Sequence, residues 1–197
     1  MSSEMHSRLT TENDRRSMLR LAWEAIEAHL TGGPPPESEM TGVLARCGGA
    51  FVTVRCEGAL RGCIGHIGAD EQLGLVIPRC AVNAASVDPR FPALRRSELP
   101  SIEIEISLLG LFEQVTSPQE IEVGRHGLVV ELNNLRGLLL PQVATERGWD
   151  SEMFLGQTCR KAGLPLDAWR KGADIWRFEA EVFSAASLAE IAPASTS

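Results

Sequence analysis

The amino-acid sequence predicts an α+β fold with a largely antiparallel sheet flanked by helices. Three observations support this prediction. Residues 13–30 place apolar side chains at helical spacing, and residues 101–109 alternate apolar and polar side chains as a half-buried strand does. Helical and strand-like stretches also follow one another without the regular βαβ alternation that is typical of a parallel sheet. With 197 residues, the chain is long enough for one sizeable domain or for two small lobes that share a core.

An amphipathic helix is the first predicted element. The apolar stripe of residues 13–30 is formed by Leu19, Ala22, Trp23, Ile26 and Leu30. The stretch "TGGPPPESE" (31–39) cannot continue a helix, because its glycines and prolines favour turns and irregular backbone. We therefore expect a loop or hinge over 31–39.

A β-hairpin follows the loop. Two short apolar runs, "AFVTVRC" and "ALRGCIG", are separated by Glu57 and Gly58, which is a typical hairpin pattern. A turn at these two residues predicts three cross-strand pairs: Cys56 with Ala59, Val54 with Arg61, and Val52 with Cys63. This register keeps Cys56 away from Cys63 and argues against a disulfide between them.

A second helix is predicted over residues 70–87, with one apolar face formed by Leu73, Ile77, Cys80, Ala81 and Ala84. Pro78 lies inside this stretch, and we expect the helix to kink or restart there. The next stretch, "DPRFPAL" (88–94), contains two prolines and predicts an ordered, non-helical connection.

The remaining sequence predicts several strands and two short helices. Residues 101–109 are the clearest strand, with three isoleucines on one side and polar side chains on the other. "GLVVEL" and "RGLLLP" predict a strand pair, and helices are expected over about 141–147 and 151–162. Residues 174–183 predict a last strand whose apolar side is formed by Trp176, Phe178, Ala180 and Val182.

Composition and charge restrict the function classes. A net charge of −7 argues against a general nucleic-acid or anionic-membrane surface, because both require a basic footprint. No run of about 18 apolar residues is present, so no transmembrane helix is expected. The N-terminal residues lack the apolar core of a signal peptide. We expect a cytoplasmic protein.

The chain contains five cysteines, an odd number, and no Cys-x-x-Cys motif. This pattern favours reduced thiols over a disulfide framework. Cys80 and Cys159 each fall on an apolar helix face, which predicts that both are core residues.

The stretch "ALRGCIGHIGA" (59–69) holds the main candidate site. Side chains alternate along a strand, so Arg61 and Cys63 are predicted to share one face. An arginine near a thiol favours the thiolate, which is the nucleophilic form. The alternative is a structural cysteine beside an arginine whose stem packs on valines. Gly62 and Gly65 predict a close approach of another backbone or of a ligand.

A metal site is a weaker interpretation of the same stretch. Cys63 and His66 form a Cys-x-x-His pair, but a structural zinc site usually needs four ligands. Cys159 and His126 are the only plausible completions, and the combination has no recognised spacing. A free thiol is therefore preferred, and no metal ligand is predicted.

Other polar residues are candidates of lower specificity. His126 follows a turn and begins a strand, so it is either a general base for Cys63 or a turn cap. Glu105 lies on the polar face of its strand, where solvent exposure is the ordinary reason for a carboxylate. Asp88 and Arg90 flank Pro89 and predict a local salt bridge. Gln142, after "LLLP", carries little information by itself.

Several stretches together resemble one family. They are "LRGCIG" (60–65), "DPRFPAL" (88–94), "EISLL" (105–109), "HGLVV" (126–130), "RGLLLPQVATERGWD" (136–150) and "FLGQTCRKAGL" (154–164). Their order and spacing resemble those of the AMMECR domain family, named after the Alport syndrome, midface hypoplasia and elliptocytosis chromosomal region. The resemblance spans about residues 13–185, and the stand-alone prokaryotic form, a component of the AmmeMemoRadiSam system, is the nearest type.

The resemblance implies a two-lobed domain over residues 13–185 between an N-terminal tail (1–12) and a C-terminal tail (186–197). The larger lobe would carry an antiparallel sheet flanked by helices, and a smaller α/β lobe would pack against it with one cleft between them. The resemblance also implies two partners, a Memo-like protein and a radical S-adenosylmethionine (radical SAM) protein. It identifies no cofactor. His66 directly follows "LRGCIG" (60–65), at a position where members of the family often carry other residues.

Two functions remain open at this point. The first is an accessory or substrate-binding component that acts with the Memo-like and radical SAM proteins. The second is an enzyme that uses Cys63 as a reactive thiol on a small molecule or peptide, with Arg61 stabilising charge and His126 as acid or base. The ligand- or partner-binding set is predicted to consist of Gly62, Gly65, His66, Asp88, Arg90, Glu105 and Gln142. Nucleic-acid binding is the weakest alternative, because the chain is acidic.

Overall fold

The computed structural model describes residues 10–37, 39–68 and 70–191, and these form an α+β fold as predicted. Most of the two predicted tails, residues 1–9 and 192–197, lies outside the described residues. In chain order the helices and strands are α1 (Glu12–Thr31), β1 (Ala50–Cys56), β2 (Ala59–His66), α2 (Leu73–Ser86), β3 (Ile102–Leu109), β4 (Glu113–Gln114), β5 (His126–Leu132), β6 (Leu135–Leu139), α3 (Pro141–Arg147), α4 (Ser151–Lys161), β7 (Asp174–Ala185) and α5 (Leu188–Ile191).

The chain divides into two compact units. The first comprises the residues up to Leu109 together with those from Glu181 onward, and the second is Gly110–Ala180. Strand β7 contributes its first residues to the second unit and its last residues to the first. No helix within the described ranges is long and apolar enough to cross a membrane.

Helix α1 begins and ends at strong local signals. The Thr11 side chain accepts a hydrogen bond from the Asp14 N–H, and Asp14 accepts one from the Thr11 N–H, which completes a capping box. The helix ends at Gly32, whose φ of 74° suits glycine. Its apolar face packs on α2, and the two helices cover the sheet of the first unit.

Helix α2 runs unbroken from Leu73 to Ser86. Of the two alternatives predicted at Pro78, a kink or a restart, the restart is therefore wrong. Proline removes one intrahelical hydrogen bond, to the carbonyl four residues earlier, and that carbonyl belongs to Gly74 in the first turn. The remaining turns are held by a buried face that packs on the sheet, formed by Val76, Ile77, Cys80, Ala81 and Ala84.

The sheet of the first unit has the order β2-β1-β3, and both pairings are antiparallel. The predicted strand over residues 101–109 is confirmed as β3, and its three isoleucines are fully buried. They pack with apolar side chains of β1 and of both helices to form the core of this unit.

The hairpin of β1 and β2 has the predicted turn but a different register. Cys56 pairs with Ala59 as expected, and Glu57 and Gly58 both have positive φ, at 51° and 78°. A β-bulge between Val54 and Arg55 then shifts the pairing by one residue. As a consequence, Val54 lies opposite Gly62, Val52 opposite Ile64, and Thr53 opposite Cys63. The predicted pairs Val54–Arg61 and Val52–Cys63 are therefore wrong.

The second unit contains a small antiparallel sheet with the order β7-β5-β6, and β4 also pairs with β7. The predicted strand pair "GLVVEL" and "RGLLLP" is confirmed as β5 and β6. They are joined through Asn133 and Asn134, whose φ values of 50° and 67° are typical of a tight hairpin turn. Helices α3 and α4 pack against this sheet and form a second core around Phe154, Leu155 and Leu128.

Candidate functional site

The stretches "LRGCIG" (60–65) and "DPRFPAL" (88–94) meet at the edge of the first unit's sheet. Strand β2 is the edge strand, and its Cys63 N–H donates to Asp88 Oδ2 at 2.9 Å. The Cys63 carbonyl accepts a hydrogen bond from Arg90 Nη2 at 3.3 Å. Asp88 and Arg90 thus occupy the hydrogen-bonding positions that a neighbouring strand would use, and they close the sheet edge at Cys63.

Asp88 is an almost fully buried carboxylate, only 4% exposed. Besides the Cys63 N–H, it accepts from the Arg90 backbone N–H at 3.1 Å, from Arg90 Nε at 2.9 Å and from Arg90 Nη2 at 2.6 Å. The hydrogen bonds from the Arg90 side chain, outweighing the opposite effect of burial, hold the pKa of Asp88 well below its usual range. The predicted local salt bridge is therefore confirmed, and its carboxylate also binds the edge strand.

Arg90 is anchored on one side and open on the other. Its side chain is 55% exposed, although its Nε and Nη2 both donate hydrogen bonds to the Asp88 carboxylate. Hydrogen bonds to Asp88 raise the pKa of Arg90 against a smaller effect of desolvation, and the nearby Cys63 sulfur adds to the rise. The guanidinium carbon lies 5.3 Å from the centre of the Phe91 ring. Arg90 is thus a fixed cation beside the thiol.

The Cys63 thiol is half-buried, and its sulfur accepts a hydrogen bond from Thr53 Oγ1 at 3.2 Å. The β-bulge places Thr53 opposite Cys63, so this contact could not follow from the register predicted above. Within the described residues, no carboxylate or imidazole forms a hydrogen bond with this sulfur. In this part of the chain, the thiol therefore has a hydroxyl donor and a cation nearby, but no hydrogen-bonded carboxylate or imidazole that could take its proton.

The Arg61 guanidinium is held by groups that the sequence did not predict. Its Nε and Nη2 donate to the two carboxylate oxygens of Glu98 at 3.0 and 3.2 Å, and its Nη1 donates to the Pro92 carbonyl at 3.1 Å. Because the bulge lies next to Arg61 in the ladder, strict alternation between Arg61 and Cys63 does not hold. The cation beside Cys63 is Arg90. Arg61 instead holds the segment that follows Arg90, through Pro92 and Glu98. Glu98 was missed because its partner is 37 residues away.

Gly62 and Gly65 are both sites of close approach, as predicted, but protein atoms already fill the space. A Cβ on Gly62 would lie 1.8 Å from the Ala84 carbonyl oxygen in α2. A Cβ on Gly65 would lie 2.3 Å from the Phe51 ring. Gly62 therefore serves helix packing, and Gly65 accommodates an aromatic ring from the neighbouring strand.

Two further candidates lie near this edge without joining the Cys63 cluster. Glu105 pairs in register with Thr53, which separates it from Cys63 by one strand. His66 Nε2 lies 3.4 Å from Asp70 Oδ1 in a partly exposed local pair. Within the described residues, no three His, Cys, Asp or Glu side chains are placed to hold a metal ion.

His126 and Gln142 belong to the second unit. His126 is buried, and its Nδ1 accepts a hydrogen bond from the Glu122 N–H at 2.9 Å, as a turn cap would. Burial lowers the pKa of His126, and the positive charges of Arg177 and Arg125 lower it further. Gln142 lies in the first turn of α3 and is half-buried.

We expect His126 to make the folded state less stable as the medium becomes acidic. Because its folded-state pKa is below the unfolded value of about 6.5, the unfolded chain binds the extra proton first as the pH falls. Stability should therefore decline from about pH 6.5 downward. His126→Asn retains an acceptor for the Glu122 N–H and should show a flatter profile in urea unfolding between about pH 7 and pH 5. Identical profiles would contradict this assignment.

The other cysteines differ from Cys63 in their surroundings. All five are free, and Cys80 and Cys159 are buried in the cores, as predicted. Burial raises the pKa of Cys80 to about 11 and also raises the pKa of Cys159. These two thiols are inert core side chains by this criterion.

The chain is similar in sequence to a known protein family and in structure to a solved protein. A sequence model of the family AMMECR1 matches residues 19–183. A protein of Methanosarcina barkeri is 43% identical over 185 residues, covering 89% of this chain and 92% of its own. A protein of Methanothermobacter thermautotrophicus is 41% identical over 182 residues, covering 88% and 95%. The crystal structure of the uncharacterized protein PH0010 from Pyrococcus horikoshii matches with a TM-score of 0.82 and 37% identity, covering 88% and 92%.

Proposed function

Because the chain belongs to the AMMECR1 family, we propose that it is an accessory component that binds a substrate or a partner protein. In this proposal it acts together with a Memo-like protein and a radical SAM protein. The binding site is the sheet edge at Cys63 with the segment that closes it, residues 87–93. The chemistry of the pathway belongs to the partners, and this chain holds or presents what they act on.

One observation carries the proposal: the polar groups at Cys63 are fixed in place, and one of them faces outward. Asp88 is buried and fully engaged, so it is a poor proton acceptor at neutral pH. Arg90 is held by Asp88 and by the Cys63 carbonyl, yet its side chain is 55% exposed. A rigid, outward-facing guanidinium is suited to recognition, because little side-chain entropy remains to be lost on binding.

A second candidate function is an enzyme in which Cys63 is the nucleophile. The half-buried sulfur, the Thr53 hydroxyl at 3.2 Å and the adjacent Arg90 guanidinium favour this alternative. The enzyme would need a base from a bound substrate or from another protein. Among the described residues, no carboxylate or imidazole is hydrogen-bonded to the Cys63 sulfur. The first proposal requires no such addition.

Co-purification with the Memo-like and radical SAM proteins tests the proposal. Val87 is 61% exposed beside Asp88, so Val87→Glu should weaken capture of the partners at least about tenfold without unfolding the chain. Leu75→Glu is the matched control, because Leu75 is 48% exposed near the start of helix α2 and lies about 18 Å along the helix axis from Val87, the residue that follows the end of the helix. Arg90→Ala should act like Val87→Glu.

Cys63→Ala separates the two candidate functions. An accessory component should still capture its partners and still support the pathway when the sulfur is removed. If the Cys63→Ala chain folds and captures both partners but the pathway product is no longer formed, the result would favour the enzyme in which Cys63 is the nucleophile. If Val87→Glu and Leu75→Glu co-purify equally well with both partners, the sheet edge is not the binding site.

A further inference from the structure

The surface that closes the sheet edge carries more positive than negative side chains, and we infer that it binds an acidic segment of a partner protein. We define this docking surface as residues 87–96, "VDPRFPALRR". The inference rests on the proposed function and deepens it, because it names the chemistry of the partner. Carboxylates of the partner would contact Arg90, Arg95 and Arg96, and apolar partner side chains would contact the exposed apolar residues between them.

The docking surface is exposed but ordered. Its exposed residues are Val87, Pro89, Arg90, Pro92, Ala93, Arg95 and Arg96. Asp88 and Leu94 are buried and anchor it at two points. The Phe91 N–H donates to the Asp88 carbonyl at 3.2 Å, and the Leu94 N–H donates to the Ala85 carbonyl at 2.7 Å. A preorganised surface of this kind loses little conformational entropy when a partner binds.

Of the three arginines in the docking surface, Arg90 is paired with Asp88, whereas the charges of Arg95 and Arg96 are not neutralised locally. Asp88 is buried against Arg90, and Glu98 accepts two hydrogen bonds from Arg61 and one from the Arg95 N–H. Both nearby carboxylates are thereby engaged. Arg95 and Arg96 are exposed, and neither guanidinium forms a salt bridge with any residue that the structure describes. On a chain with a net charge of −7, this surface is a local basic exception.

Arg90 is oriented to receive a carboxylate. Its Nε and Nη2 are occupied by Asp88 and by the Cys63 carbonyl. Its Nη1 donates no hydrogen bond to an oxygen of the described residues, and the Phe91 ring lies beside the guanidinium. Guanidinium groups bind carboxylates through planar, charge-assisted hydrogen bonds, and a fixed guanidinium gives this contact its direction.

An acidic protein segment fits the charges better than a nucleic acid does. A phosphate backbone would meet the acidic remainder of the chain, and its binding would have to overcome that repulsion along an extended path. A short acidic segment would contact only the docking surface. Nucleic-acid binding is therefore the competing outcome of the test.

Fluorescence anisotropy with the full chain tests the inference. The probe is a fluorescein-labelled peptide of sequence Glu-Leu-Glu-Glu-Leu-Glu, and the control peptide replaces each glutamate by glutamine. We expect the acidic peptide to bind with a Kd below about 1 mM at low salt and the control peptide to bind at least about tenfold more weakly. Raising the salt concentration should weaken the acidic peptide selectively.

Two double variants of equal charge change locate the binding. Arg95→Glu with Arg96→Glu should weaken the acidic peptide at least about tenfold. Arg147→Glu with Arg160→Glu is the matched control, because both residues are exposed in the second unit, and it should leave the affinity within about twofold. Thermal melting of each variant verifies that it is folded.

Four results of the binding assay would overturn the inference: no binding of the acidic peptide, equal binding of both peptides, equal weakening by the two double variants, or tighter binding of a single-stranded oligothymidine. The proposed function can be judged separately. If both partners still co-purify with the folded Arg95→Glu/Arg96→Glu chain at the original yield, the acidic-segment inference fails and the accessory role survives. If the peptide results are as expected but neither partner co-purifies, the accessory role fails instead.

Discussion

Gly62→Ala is expected to destabilise the first unit by about 3 kcal/mol or more, because a single methyl group would enter space that helix α2 occupies. The added Cβ would lie 1.8 Å from the Ala84 carbonyl oxygen and 2.8 Å from its carbonyl carbon. Both atoms are helix backbone and cannot rotate away as a side-chain tip can. Helix α2 would have to move off β2, and the buried contacts between them would open.

Urea unfolding followed by circular dichroism measures this effect. Gly33→Ala is the matched control, because a Cβ there meets no atom closer than 3.6 Å. It should leave the free energy of unfolding within about 0.5 kcal/mol of the original. A Gly62→Ala chain with an unchanged unfolding midpoint would show that α2 does not press on β2 as described. The expected result assigns Gly62 to packing and not to ligand access.

Asp88→Asn is expected to cost about 2–3 kcal/mol and to disorganise the sheet edge at Cys63. The amide has one acceptor oxygen and no charge, so it cannot replace a carboxylate that serves the Cys63 N–H and the Arg90 fork at once. Most of the lost stability comes from the hydrogen bonds of the buried Asp88 carboxylate. The charge of Arg90 contributes less, because its side chain is 55% exposed and solvent screens it.

The stabilisation by Asp88 has a predictable pH dependence. The folded-state pKa is depressed below the unfolded value of about 3.9, so the contribution is complete above that pH. It is lost as the pH falls through the depressed folded-state value. The difference in unfolding free energy between the original chain and Asp88→Asn should therefore be constant near neutrality and shrink in acid. Asp174→Asn, at an exposed aspartate, should show no such difference; a similar loss there would remove the argument for Asp88.

Local signals were sufficient for most of the elements. The capping residues of α1, the alternation in β3 and the turn at Glu57 and Gly58 all lie within the stretches they control. The last strand was predicted less well: Phe178 is buried as expected, but Val182 is 47% exposed. Strand β7 passes from one unit to the other within its length, so one alternation pattern does not describe all of it.

The candidate site was predicted in composition more than in geometry. Cys63, Asp88 and Arg90 were all candidates, and the structure brings them into hydrogen-bond contact. For Arg61 the structure shows partners that were not predicted, since its guanidinium binds Glu98 and the Pro92 carbonyl. Thr53 was missed because its place opposite Cys63 depends on the bulge.

The sequence by itself determined the α+β class, the family and the segments that become helices and strands. Those properties depend on side-chain periodicity and on residues a few positions apart. Only the tertiary structure decided that Asp88 and Arg90 close the edge of β2, that Gly62 faces α2, and that Arg90 is the cation beside the thiol. Asp88 and the Cys63 N–H are 25 positions apart. Contacts of that kind form only when packing brings distant segments together, so a pattern within one segment cannot specify them.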